Sequence, residues 1–356
     1  MANEPRNPGS RPRVGQQQSD SGVGRISGVA LGDAPALGSG AVTGLGGAST
    51  RFGDRVFKSL SQGASVLLLV VIAAIAIFLL TRTIPALQDD TVNFLTEKKW
   101  LPDSSPSVFG IAALATGTLV TSLLALLMAV PVSVGIALFI AHYAPRRLAN
   151  GLGYIVDLLA AVPSVVFGLW GLKFLVPHMV GLTKFLADHL GWFPMFDVGD
   201  GSTYRQTMFN ASVVLAVMIL PIISAVSREV FLQVPTMHLE AAQALGATRW
   251  ETMRMAVLPF GRSGVISASM LGLGRALGET VAVALVLSTN YEISLKILNP
   301  GGNTFAANIA LQYGFAGDTG INALIASGMV LFVITLLVNM TARWIIGRRA
   351  AFSGAN

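Results

Sequence analysis

Residues 59–81 read SLSQGASVLLLVVIAAIAIFLLT, 23 positions without a charged side chain. As an α-helix this run measures about 34 Å at 1.5 Å per residue, enough to cross a hydrocarbon core of about 30 Å. Working outward from it, five further stretches with few charges predict spans at about 111–141, 152–176, 206–227, 261–287 and 322–342. Arg146 and Arg147 mark a short loop between the second and third. Asp157 and Lys173 fall near the ends of the third, where a charged tip can reach an interface. The fold class expected is an all-α membrane protein with six transmembrane helices.

Composition supports this reading and removes others. Of 356 residues 53% are hydrophobic and 12% charged, against roughly 25% charged in soluble domains. The absence of cysteine excludes a disulfide framework, a thiolate metal site and a cysteine nucleophile. The net charge of +6 does not point to nucleic acid, because the positive residues sit beside apolar runs and not on a basic face interleaved with aromatics. Residues 1–50 are rich in Gly, Ser, Pro and Gln without apolar periodicity, so a disordered tail is expected there. No apolar segment follows the early arginines, which makes residues 59–81 an uncleaved anchor.

An even number of spans puts both termini on one side. Counting Lys and Arg near the spans gives twelve on that side (Arg51, Arg55, Lys58, Arg146, Arg147, Arg228, Arg249, Arg254, Arg262, Arg343, Arg348, Arg349) and six on the other (Arg82, Lys98, Lys99, Lys184, Arg205, Lys296). The positive-inside rule therefore assigns both termini and the loop at about 228–257 to the cytoplasm.

That loop is patterned as helix, turn, helix. Thr236 to Leu245 holds good helix formers, and Gly246 is placed to end the helix in the left-handed conformation. Thr248 and Glu251 have capping-box spacing, so a second short helix is expected, stopping before Pro259. A short helix with an alanine surface can seat closely in a groove of a soluble partner, or it can lie on lipid headgroups. Glu240, Ala241, Ala242, Gly246, Leu258 and Pro259 resemble the EAA motif of permease subunits of ATP-binding-cassette importers, with Ala256 where that pattern usually has isoleucine. The resemblance implies a coupling helix around Glu240, Ala241, Ala242 and Gly246 that docks into the ATPase subunit.

The fifth stretch contains Gly272-Leu-Gly-Arg-Ala-Leu-Gly-Glu-Thr280. Arg275 lies roughly 18 to 21 Å from either expected end, too deep for easy snorkelling. A charge there costs at least ~2.5 kcal/mol on insertion scales, which favours a protein interior or a wet pathway. Arg275 and Glu279 are four apart, so both project from one helical face and can pair. A self-neutralising ion pair and a pathway role are both open, but stability alone is a weak reason to keep such a pair. Arginine's planar fork suits a tetrahedral oxyanion. Glu279 then orients the guanidinium or carries a proton.

Together with Ala160-Ala-Val-Pro-Ser-Val-Val-Phe-Gly-Leu-Trp-Gly171, that segment resembles the PstC-type permease subunit of the phosphate-specific ATP-binding-cassette importer, over about residues 57–347. The resemblance implies the type I importer permease fold for residues 51–349 behind a cytoplasmic tail, and a bacterial inner-membrane location. It implies inorganic phosphate as cargo and Arg275 and Glu279 as pathway residues. Its partners would be a PstA-type permease, two PstB-type ATP-binding subunits and a PstS-type extracytoplasmic phosphate-binding protein. Lys173, where that family is expected to have an apolar residue, either snorkels or adds positive potential to the entrance. No Gly-Lys dipeptide exists, so no Walker A loop can form and ATP with Mg²⁺ belongs to the partner. No cofactor or metal site and no catalytic residue is expected, and His238 reads as a surface residue. The alternatives are a permease for another oxyanion such as sulfate or molybdate, or an ion-coupled secondary transporter.

Overall fold

A computed structural model describes residues 52–198 and 204–350; the expected tail, 1–50, lies outside them. The chain divides into two units, 1–65 and 66–356, within helix α1, Phe52–Asp89. In the first unit Ser65 Oγ donates to the Ser61 carbonyl at 2.9 Å, one turn back along the helix. All later elements belong to the second unit. Among the described residues six helices are long and apolar enough to cross a membrane: Gly53–Asp89, Ala112–Tyr143, Ser164–Leu190, Met208–Leu232, Arg249–Leu277 and Asp318–Trp344.

Their number matches the sequence reading, but three expectations about continuity do not hold. The third span begins at Ser164 and not near residue 152. Helix α3, Arg146–Ala160, stops at Ala161, and Pro163 (φ −58°, ψ 138°) opens helix α4, Ser164–Trp170. Proline lacks the N–H that would continue α3 and steers the preceding residue away from helical angles. Apolar residues on both sides hide this break from a hydropathy count. From α4 the span continues through a π-helical turn, Gly171–Leu175, into α5, Val176–Leu190.

The short helix expected to end before Pro259 instead runs through it. Helix α8, Arg249–Thr252, widens into a π-helical turn, Met253–Val257, and enters α9, Leu258–Leu277. The Leu258 N–H reaches back five residues to the Met253 carbonyl. Pro259 thus falls in the first turn of α9, where a missing N–H costs little. The fifth span, expected to be continuous to 287, breaks after Leu277 and resumes as α10, Val281–Val286.

Helices α2 (Ala112–Leu138, prolonged by a π-helical turn, Phe139–Tyr143), α6 (Met208–Leu232) and α9 form the packed centre. Lipid gives no hydrophobic drive between helices, so close backbone approach has to supply the attraction. On α2, Ala125, Ala129, Ser133 and Ala137 recur every four residues and are all buried. Ser133 Oγ donates to the Leu220 carbonyl of α6 at 3.0 Å. On α9, Gly272 leaves room for Ile223, whose Cδ1 would lie 2.7 Å from an added Cβ.

At the end opposite the 228–257 loop, strands β1 (Trp100–Leu101) and β2 (Val108–Phe109) form an antiparallel hairpin. Between its strands, the Asp103 carboxylate accepts the N–H groups of Gly317 at 2.9 Å and Gly320 at 2.8 Å. This caps the start of α12, Asp318–Ala350. Helix α11, Phe305–Gln312, packs beneath, where Asn308 accepts from Tyr291 Oη at 2.7 Å and from Asn303 Nδ2 at 3.0 Å. Gly117 of α2 meets the Asn303 carbonyl so closely that no side chain fits there.

Candidate functional site

The break in the fifth span places Arg275 and Glu279 differently from the sequence reading. Gly278 caps α9, and its N–H returns to the Gly274 carbonyl at 3.3 Å. Glu279 and Thr280 then lie between helices. The Glu279 side chain turns toward α10, where Oε1 accepts the Ala282 N–H at 3.1 Å, and the residue is 8% exposed. It therefore caps the resumed helix. Arg275 and Glu279 form no ion pair among the described residues, because the shared face expected of an i, i+4 pair requires a helix that does not continue.

Arg275 remains in the last turn of α9 with its Nε buried and without a hydrogen-bond partner. Its depth can be read from α6. Gly272, one turn earlier, faces Ile219 and Ile223, the twelfth and sixteenth of 25 residues in that helix. Arg275 is thus close to the middle of the bundle, where a charge is tolerated only toward protein, ligand or water. A groove of about 1310 Å³ opens beside it, with Ala160 and Gly274 on its wall.

The two segments that carried the resemblance meet here. Gly168 of α4 faces Ala282 of α10, whose Cα would lie 2.8 Å from an added Cβ. Gly171 faces Val214 of α6 and Val286 of α10. Both helix breaks, at 161–163 and 278–280, border this contact, and broken helices leave backbone polar groups free only where protein or a wet cavity receives them. Lys173 lies two residues beyond Gly171 in the π-helical turn and is exposed.

The loop between α6 and α9 is built from local signals. Helix α7, Thr236–Ala244, ends as the glycine requires, with Gly246 at φ +80°. The Gly246 N–H reaches the Gln243 carbonyl at 2.9 Å and the Ala247 N–H the Ala242 carbonyl at 3.1 Å, the paired bonds of a Schellman cap. Thr248 and Glu251 close the capping box in both directions, at 2.7 Å and 3.3 Å. Ala242 is buried and Leu239 packs beside Met253 and Val257, whereas Glu240, Ala241 and Gly246 face outward.

Sequence reasoning missed the apolar rim of this loop. Met237 is 69% exposed, Leu245 85% and Trp250 60%, a concentration that on a soluble face marks an interaction surface. The signal was present as large apolar residues flanking a helix that needs none for its caps. His238 is exposed, beside Phe260 with ring centroids 6.5 Å apart.

On the far face, Lys296 pairs with Asp197 and ties together the loops on either side of α6, α9 and α10. The hydrogen bond and charge of Lys296 hold the Asp197 carboxyl below its ordinary range.

Residues 133–351 match a family model described as the binding-protein-dependent transport system inner membrane component. The phosphate transport system permease protein PstC 2 of Mycobacterium tuberculosis is 49% identical over 300 residues, covering 83% of this chain and 93% of that protein. PstC of Mycobacterium leprae is 47% identical over 308 residues, covering 86% and 97%. Among solved structures, a bacterial alginate ABC transporter in complex with an alginate pentasaccharide-bound periplasmic protein aligns with a TM-score of 0.53 at 18% identity, covering 82% of this chain and 96% of that one. At that identity the likeness is one of fold.

Proposed function

The chain belongs to the binding-protein-dependent transport system inner membrane components, and from that premise we propose that it carries inorganic phosphate inward as a permease subunit of an ATP-binding-cassette importer. It is a multi-pass inner-membrane transport subunit. Both termini and the α7 loop face the cytoplasm in this reading, as the Lys and Arg bias requires. ATP, with Mg²⁺, is hydrolysed by two separate PstB-type subunits. A PstA-type permease completes the pathway, and a PstS-type protein delivers phosphate from outside.

The observation that supports the cargo best is Arg275. A guanidinium with an unbonded, buried Nε, facing a groove at mid-depth, is suited to take a doubly hydrogen-bonded oxyanion. Glu279 holds the start of α10, so the break beside Arg275 keeps its shape, and its negative charge limits how tightly an anion is retained. The phosphate cargo rests on the relatives' names.

Coupling follows from α7. Its outward Glu240 and Ala241, with Leu245 and Trp250 at the rim, form the surface that seats in the ATPase subunit. The buried Ala242 and the rigid Gly246 turn hold that surface against the start of the fifth span. A helix continuous from Arg249 to Leu277 carries ATPase closure to Arg275.

The test is ATP hydrolysis and uptake by the reconstituted complex, with phosphate compared against arsenate and sulfate. Stimulation by phosphate is expected. Stimulation by sulfate alone would assign another oxyanion, and full-rate uptake without the ATPase subunits would make the protein an ion-coupled transporter.

A further inference from the structure

Arg275 does not line its groove alone. On α12, Asn339 and Arg343 are four residues apart and so project from one helical face, and both line the same groove of about 1310 Å³. Leu68, Leu271 and Met340 are among its apolar walls. Arg343 is exposed and forms no ion pair among the described residues. A cation against apolar walls is costly unless an anion or water receives it.

Snorkelling to headgroups would account for one arginine near a helix end. It does not account for Asn339 one turn deeper on the same face, or for a groove shared with Arg275. The axial order is also defined. Ser267 and Arg275 both line the groove and are eight residues apart on α9, about 12 Å of rise. The groove therefore runs along the helices. Helix α12 starts at the end held by Asp103, so Arg343 lies on the opposite, cytoplasmic, side of Asn339.

We infer that Asn339 and Arg343 form a second oxyanion station in this groove, one step cytoplasmic of Arg275, for a tetrahedral phosphate group. The inference rests on the importer reading of Arg275. The Arg343 fork donates two parallel hydrogen bonds and the Asn339 amide a third. Two moderate sites in series let an anion leave the deeper one without crossing apolar wall as an unpaired charge. Free phosphate in transit and the headgroup of an anionic lipid present the same chemistry, and the experiment separates them.

The full complex is reconstituted with wild-type chain, Arg343→Gln, Arg343→Lys and Asn339→Ala, in vesicles of zwitterionic lipid alone and of zwitterionic with anionic lipid. If the station takes phosphate in transit, Arg343→Gln lowers the maximal uptake rate about tenfold in both lipids. The half-saturating concentration of phosphate-loaded binding protein then stays within about twofold, and Arg343→Lys recovers part of the rate because it restores charge without the fork. If the occupant is a lipid headgroup, the loss appears only with anionic lipid, and zwitterionic vesicles bring wild type down to the variant. Wild-type rates for Arg343→Gln and Asn339→Ala in both lipids, with Arg275→Gln still inactive, overturn the station and leave the importer reading standing. Wild-type vesicles that take up sulfate but no phosphate overturn the phosphate cargo and the station's transit role together.

Discussion

The loop around Glu240 and the groove around Arg275 treat the backbone in opposite ways. In the loop every turn is closed within a few residues: Gly246 and Ala247 return to Gln243 and Ala242, and Thr248 and Glu251 bond each other. Around Arg275 the helices stop in mid-course, at 161–163 and at 278–280, and a buried Nε is left without a protein partner. In the importer reading proposed above, a surface that docks on a partner subunit gains from closed local bonds. In that same reading, a site that binds and releases a charged cargo needs groups that are not already committed.

The contrast can be broken at its strongest point first. Arg275→Gln should lower phosphate uptake about 100-fold, the scale of removing one oxyanion donor, while the chain still co-purifies with its partners. Loss of assembly instead would make Arg275 a packing residue and remove the distinction between open and closed sites. Glu240→Lys should weaken ATPase co-purification or coupling about tenfold, by reversing the charge on the outward face of α7; unaltered ATP-driven uptake would leave α7 as a mere surface helix.

Smaller effects sharpen the comparison. Gly246→Val forces a β-branched residue to φ +80°, at a cost of about 1–2 kcal/mol, and should loosen the loop without touching the groove. Protease nicking near residues 244–250 would report it. Thr248→Ala removes one half of the capping box and should cost about 1 kcal/mol, visible as faster hydrogen exchange at Glu251. Least of all is the Asp197–Lys296 tie. Its folded carboxyl lies below the ordinary value because of Lys296, so its contribution is present above the unfolded carboxylate range and is lost as pH falls through the folded value. Both groups are about half exposed, so screening keeps the effect small; Asp197→Asn should flatten that acid limb of a thermal-stability profile.

The loop was legible in sequence for the same reason that its turns close locally. Gly246, Thr248 and Glu251 act on neighbours within five residues, and short-range rules read such positions directly. Arg275 and Glu279 were legible as residues because charge stands out in an apolar run. Their arrangement was not, since the break at Gly278 separates a pair that a continuous helix would align. Pro163 was visible, yet apolar sequence on both sides merged α3 with α4. Pro259 misled in the other direction, because a π-helical turn that no residue type announces absorbed it. The rim of Met237, Leu245 and Trp250 was hidden by composition, since apolar residues in such a chain are expected to face lipid.

One bond set described above also bears on how the protein is made. Asp103 is synthesised more than 200 residues before Gly317 and Gly320, whose N–H groups lie 214 and 217 positions away. Until those glycines emerge, the hairpin at residues 100–109 has no anchor on α12, and the start of α12 has no cap. Biogenesis therefore has an order: the early spans enter the bilayer with one end unfastened, and the arrival of the sixth fastens it. A chain stalled or truncated before α12 is expected to lack this fastening while keeping the hairpin's own bonds, and faster hydrogen exchange at Leu101 to Ser107 would report it.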